Sequence, residues 1–155
     1  MKNNVARLVI WVALASVAMF AADNTVGTWK YNAAKSKSTS ANPIKSQTDV
    51  REATPDGGAK LTRTTQYTDG TTASYSVSFK YDGKEYPATG APYDSVSVKR
   101  IDANTYSFET KKAGGKYHMK GQTVISKDGK TLTQTIRGTD AQGKPVTATA
   151  VFEKQ

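Results

Sequence analysis

Across the last two thirds of the chain, apolar and polar side chains alternate with period two. In TTASYSVSFKY, Thr71, Ala73, Tyr75, Val77, Phe79 and Tyr81 share one face, and Thr72, Ser74, Ser76, Ser78 and Lys80 share the other. That is the pattern of a strand with one buried and one wet side. KYHMKGQTVIS sets Tyr117, Met119, Gly121, Thr123 and Ile125 against Lys116, His118, Lys120 and Gln122. KTLTQTIRG sets Leu132, Gln134 and Ile136 against Thr131, Thr133, Thr135 and Arg137, and VTATAVF groups Val146, Ala148, Ala150 and Phe152. AKLTRTTQY reads with Leu61, Arg63, Thr65 and Tyr67 inward. Turn signals separate the runs: Pro55-Asp56-Gly57-Gly58, Asp69-Gly70, Asp82-Gly83, Asp102-Ala103-Asn104, Gly114-Gly115, Asp128-Gly129 and Gln142-Gly143. Asp-Gly supplies the positive φ angles that tight hairpins demand. No stretch beyond residue 22 carries a helical period. Consecutive hairpins form a meander, and a long meander closes to remove its edges. The expectation is an all-β, up-and-down antiparallel barrel of about 8–10 strands.

Two segments break the rhythm. Asn32 to Ser46, rich in Ser, Ala and Lys, reads as a long loop after the first strand. Glu85 to Asp94 holds Pro87 and Pro92, which bars it from a central strand, and its Tyr86 and Tyr93 are placed to gate a mouth.

The first 22 residues read differently. Lys2 and Arg7 precede an apolar and small-residue run from Leu8 to Phe20, too short to span a bilayer as a helix. The layout is that of a secretory signal peptide, cleaved before Asp23, with retention as an anchor the alternative. The expected organisation is a leader, 1–22, and one barrel domain, 23–155, secreted or periplasmic in a bacterium. Of 22 basic and 13 acidic residues, the leader holds two basic and no acidic ones, leaving 20 against 13, a net +7. With no cysteine, disulfides and a lipid-modified cysteine are excluded. The positive balance serves solubility or, alternatively, favours anionic partners. No basic stripe interleaved with stacking aromatics supports a specific nucleic-acid role.

Gly27 and Trp29, in VGTWKYN, open the domain. A large indole there suits a plug for one end of the barrel, and a preceding glycine permits close approach. The stretch resembles the Gly-x-Trp opening of the calycin barrels, the lipocalins and intracellular fatty-acid-binding proteins. TLTQTIRGTD and TATAVFEKQ resemble the last two strands of the latter. GTWKYNAAKSKS, YDGKEYPATG, VKRIDANTY and SKDGKTLT are similar to a family of secreted bacterial proteins described as lipocalin-like, over nearly the whole mature chain. The resemblance implies an internal cavity for a small apolar molecule. The chain also departs from these families. Asn32–Ser46 is too short and polar for the helical pair of fatty-acid-binding proteins, and ATAVFEK lacks their carboxylate-holding Arg and Tyr.

Little points to catalysis. His118 is the sole histidine and falls on a polar face, so no metal site is expected. There is no Gly-x-Ser-x-Gly, and the aspartates fall at turns, where they cap backbone. Neither enzymatic activity nor a cofactor is expected. Arg63 is either an anchor for a ligand carboxylate, completed by Tyr67 or Gln134, or a side chain reaching the rim. Arg137 or Lys154 is placed to lie over Trp29. The inward aromatics Tyr75, Phe79, Tyr81, Tyr106, Phe108, Tyr117 and Phe152 either line a cavity or fill the interior; the small residues Ala73, Gly121, Ala148 and Ala150 favour a cavity. The resulting expectation is a monomeric, lipocalin-like carrier of a small hydrophobic ligand. The alternative is a solid-cored interaction or inhibitor module that acts through loops and a basic exterior.

Overall fold

The computed structural model describes residues 23–155; the expected leader and Trp11 lie outside them. Eleven strands follow one another: β1 (Gly27–Tyr31), β2 (Lys37–Ser38), β3 (Ile44–Ala53), β4 (Ala59–Tyr67), β5 (Thr72–Phe79), β6 (Asp82–Pro87), β7 (Ser95–Arg100), β8 (Thr105–Lys111), β9 (His118–Ile125), β10 (Thr131–Thr139) and β11 (Pro145–Lys154). All pairings are antiparallel, in the order β5-β4-β3-β1-β11-β10-β9-β8-β7-β6, with two-residue β2 attached to β11. First and last strands meet, Trp29 opposite Lys154 and Tyr31 opposite Phe152. The all-β meander is a nearly closed barrel.

Closure stops at one seam. No ladder joins β5 to β6, although only Lys80 and Tyr81 separate them. Asp82-Gly83, expected as a hairpin turn, instead starts β6, where the pairing with β7 is irregular between Asp82 and Glu85. Pro87 ends that outermost strand, where a missing N–H costs no ladder bond. The expected long loop also holds more order than its composition suggests. Asn32 caps a short 3-10 turn at Ala33–Lys35, its side chain accepting from Lys35 N at 3.1 Å, and β2 follows.

The turn aspartates cap their own loops. Asp69 accepts from Thr71 N at 2.8 Å, Asp128 from Lys130 N at 3.0 Å, and Asp140 from Gln142 N and Lys144 N at 2.9 and 2.8 Å. Gly70 supplies φ +86° beside the first of these.

Trp29 closes the base. It is fully buried, and its Nε1 donates to Thr25 O at 2.8 Å. Burying roughly 150–250 Å² of indole contributes on the order of 5 kcal/mol. Lys154, rather than Arg137, lies over the ring, its Nζ 5.2 Å from the centroid. Gly27 makes room for it: at φ +132°, a Cβ there would stand 2.6 Å from Lys154 Cε. Arg137 sits in the last third of β10 between Lys120 and Thr147, and it lines a depression on the outer wall. The barrel's pairing explains the choice, because Lys154 and not Arg137 is the register partner of Trp29.

Candidate functional site

The barrel is hollow. A cavity of about 470 Å³ runs along its axis, within the range of small-molecule sites. Lys37, Asn42, Pro43, Pro92 and the Asp140–Gln142 turn surround its mouth, while Arg51, Phe79, Tyr81 and Tyr106 lie towards the Trp29 end. The space exists because β11 presents only Ala148 and Ala150 at its middle inward positions. Gly121 does not add to it. The Phe108 ring takes that room, its Cζ 2.7 Å from where a Cβ would be.

All eight expected lumen residues reach this one cavity. Arg63, Tyr67 and Tyr75 come from β4 and β5, with Phe79 at the end of β5. Tyr106 and Phe108 come from β8, Tyr117 from the residue before β9, and Gln134 from β10. The expected gate divides. Tyr93 is buried in the wall, edge-on to Tyr75 at 5.7 Å and stacked on Tyr117 at 6.0 Å. Tyr86 instead donates to Asp82 Oδ2 at 2.9 Å beside its own strand.

Arg63 points inward, as its alternation requires, but its partner is neither Tyr67 nor Gln134. Its Nε and Nη2 donate to Asp49 Oδ1 and Oδ2 at 2.8 and 2.5 Å. Asp49 stands directly across from it on β3 and is 1% exposed. Gln47 Nε2 gives Asp49 a third bond at 2.9 Å, and Thr65 Oγ1 donates to Gln47 Oε1 at 3.1 Å. Burial opposes the Arg63 charge, but the adjacent Asp49 carboxylate prevails and raises its pKa well above the ordinary value. Gln134 Nε2 donates to Thr123 Oγ1 at 3.1 Å.

The pattern reading missed β3. Its inward residues are Gln47, Asp49 and Arg51, all buried, and its single Val, Val50, faces outward. No hydrophobic alternation marks such a strand. The available signal was Arg63 itself, since an inward cation requires an acid on a neighbouring strand. Arg51 is 6% exposed, and burial pushes its pKa below the ordinary value against the opposing pull of Asp49. Burial also raises the phenols of Tyr67, Tyr93 and Tyr117, so they remain neutral hydrogen-bonding groups.

The cavity therefore has two unlike walls. Met119, Ile136, Val146, Ala148 and Ala150 offer apolar surface, and β3 to β5 offer two guanidiniums, the Gln47 amide and phenols. Such an arrangement can hold an apolar body and orient it by a few polar groups. Among the described residues, no group of three His, Cys, Asp or Glu is placed to hold a metal.

Three comparisons bear on the fold. The fluorescent protein UnaG is 14% identical with a TM-score of 0.57, covering 85% of this chain and 98% of that one. A Schistosoma mansoni fatty-acid-binding protein, solved in complex with arachidonic acid, is 15% identical at TM-score 0.54, covering 85% and 96%. As-p18, an extracellular fatty-acid-binding protein, is 10% identical at TM-score 0.55, covering 86% and 97%. The chain shares the calycin-type barrel fold of these proteins. No family model and no curated protein sequence matches it.

Proposed function

We propose that the chain is a non-catalytic, monomeric carrier that acts after export and holds one small, largely apolar molecule in its lumen. The observation that carries this reading is the cavity of about 470 Å³, open at one end and lined by apolar surface with a few converging polar groups. A solid-cored module acting only through its surface would have no use for that space. Two fatty-acid-binding proteins of the same fold support the carrier reading. The arrangement of residues 1–22, a short basic start followed by an apolar run, supports export.

Titration with Nile red, an uncharged dye that brightens in apolar surroundings, tests the carrier role. One saturable site per chain is expected. Ala148→Phe, which puts a ring into the cavity from β11, should weaken binding at least tenfold with the fold retained by circular dichroism. Absence of binding in the unaltered protein, or binding indifferent to Ala148→Phe in a folded variant, contradicts the proposal.

A further inference from the structure

We infer that the ligand carries a single negative charge and that Arg51 receives it, at the closed end of the lumen, so that the molecule enters charged head first. The inference rests on the carrier reading above. The inward charges of β3 and β4 are Asp49, Arg51 and Arg63. Asp49 accepts two bonds from Arg63 and one from Gln47, and none from Arg51. One cation is left over. Arg51 is 6% exposed, and its Nε is buried without a hydrogen-bond partner among the described residues.

The other acid near Arg51 is Asp23, at the base. Its Oδ2 accepts from Tyr81 OH at 2.8 Å and its Oδ1 from Thr25 N at 3.0 Å, and no ion pair joins it to Arg51. A buried, unpaired charge is among the costliest features a fold can retain. A lysine could relieve that cost by losing its proton, but a guanidinium does so far less readily. An unpaired arginine facing a cavity is therefore a group waiting for an anion. A planar carboxylate matches its fork with two parallel hydrogen bonds.

Position sets the orientation. β3 begins at Ile44, beside mouth residues Asn42 and Pro43, and Arg51 lies seven residues further on, opposite Gly27 of β1. At ~3.3 Å per residue that is about 23 Å from the mouth end of the strand. Tyr81 and Tyr106 flank the same end. The apolar body then lies beside Ala148, Ala150 and Ile136, on the wall whose inward positions from Leu132 to Ile136 and from Val146 to Phe152 carry no charge.

Displacement of Nile red by dodecanoate and by dodecanol tests this. In the unaltered protein, dodecanoate should displace the dye at a concentration at least tenfold lower than dodecanol. In Arg51→Met, the acid should fall to the level of the alcohol, while the alcohol and the dye stay within about twofold. The ligand-free Tm of Arg51→Met should hold or rise, because an unpaired buried charge has been replaced by an apolar chain of similar length. Arg51→Gln serves as the second variant and should lose the same preference. Acid and alcohol bound equally by the unaltered protein, a preference that survives both substitutions, or a marked fall in ligand-free Tm each overturns the inference while leaving a carrier in place. If Nile red itself finds no site, the carrier reading fails and this inference fails with it.

Discussion

The wall built by β3 and β4 and the wall built by β10 and β11 obey the same alternation, yet they spend their inward positions differently. On β10 and β11 the inward residues include Leu132, Ile136, Val146, Ala150 and Phe152, and Leu132 and Phe152 are 1% exposed. On β3 and β4 they include Gln47, Asp49, Arg63 and Thr65, which are joined through Asp49 and Gln47, and Arg51, which stands outside that network. One wall is held by exclusion of water and shape. The other is held by reciprocal hydrogen bonds and charge, so losing one member strands the rest. The difference implies that the β3 wall is retained for something other than stability, since apolar replacements of a buried ion pair are often at least as stable.

The largest expected effect breaks the polar wall at its centre. Asp49→Ala should cost about 3–5 kcal/mol in chemical denaturation, because it leaves Arg63 beside Arg51 with no counter-charge. Leu132→Ala should cost a similar ~2–5 kcal/mol by leaving a cavity. The two walls part company at the second substitution. Adding Arg63→Leu in an Asp49→Leu background should recover most of the loss, whereas no partner change rescues Leu132→Ala. Failure of the double variant to recover would show that the polar wall does not act as a coupled network.

A smaller effect separates turns from lumen by pH. In the exposed turns at the two ends of the barrel, Asp56 is held down to about 2 by the hydrogen bond from Thr54 and by Lys80, and hydrogen bonds from Thr71, Asn104 and Ser126 lower Asp69, Asp102 and Asp128 in turn. Groups depressed in the folded state stabilise above their unfolded values near ~4 and lose that contribution as pH falls through the folded ones. In the lumen, burial raises the phenols of Tyr81, Tyr93 and Tyr117. Their contribution is present below the unfolded value near ~10 and is lost as pH rises beyond it. Thermal melts should therefore fall gradually between pH 4 and 2 as single turns loosen, and again above ~10 as the aromatic lining ionises. Asp69→Asn should soften only the acid limb, and Tyr93→Phe only the alkaline one. A variant that shifts both limbs would deny the division.

Legibility in the sequence followed the same split. The apolar wall was readable residue by residue, because Leu132, Ile136, Val146 and Phe152 alternate with threonines and charges. Gly27 and Trp29 announced the base, and the inward aromatics were assigned to the correct face. The polar wall was readable only where Leu61 and Tyr67 framed Arg63. Beyond Ile44 at its start, strand β3 offered no apolar residue on its cavity side and a valine on the other, so Asp49 and Arg51 were found only by fold closure. The seam at β5 and β6 was hidden as well, since Asp82-Gly83 carries the chemistry of a hairpin turn while starting a strand that does not pair with its predecessor. Likewise, Lys154 prevailed over Arg137 at the indole through register, which composition does not encode.

Native mass spectrometry of the protein purified from the cells that make it tests the account most directly. The expected species is one chain carrying one adduct of a few hundred daltons. The adduct should be seen as an acid on release, and it should be absent from Ala148→Phe prepared in the same way. A bare chain that also takes up no added Nile red would mean that the lumen holds nothing, and the carrier account would have to be given up.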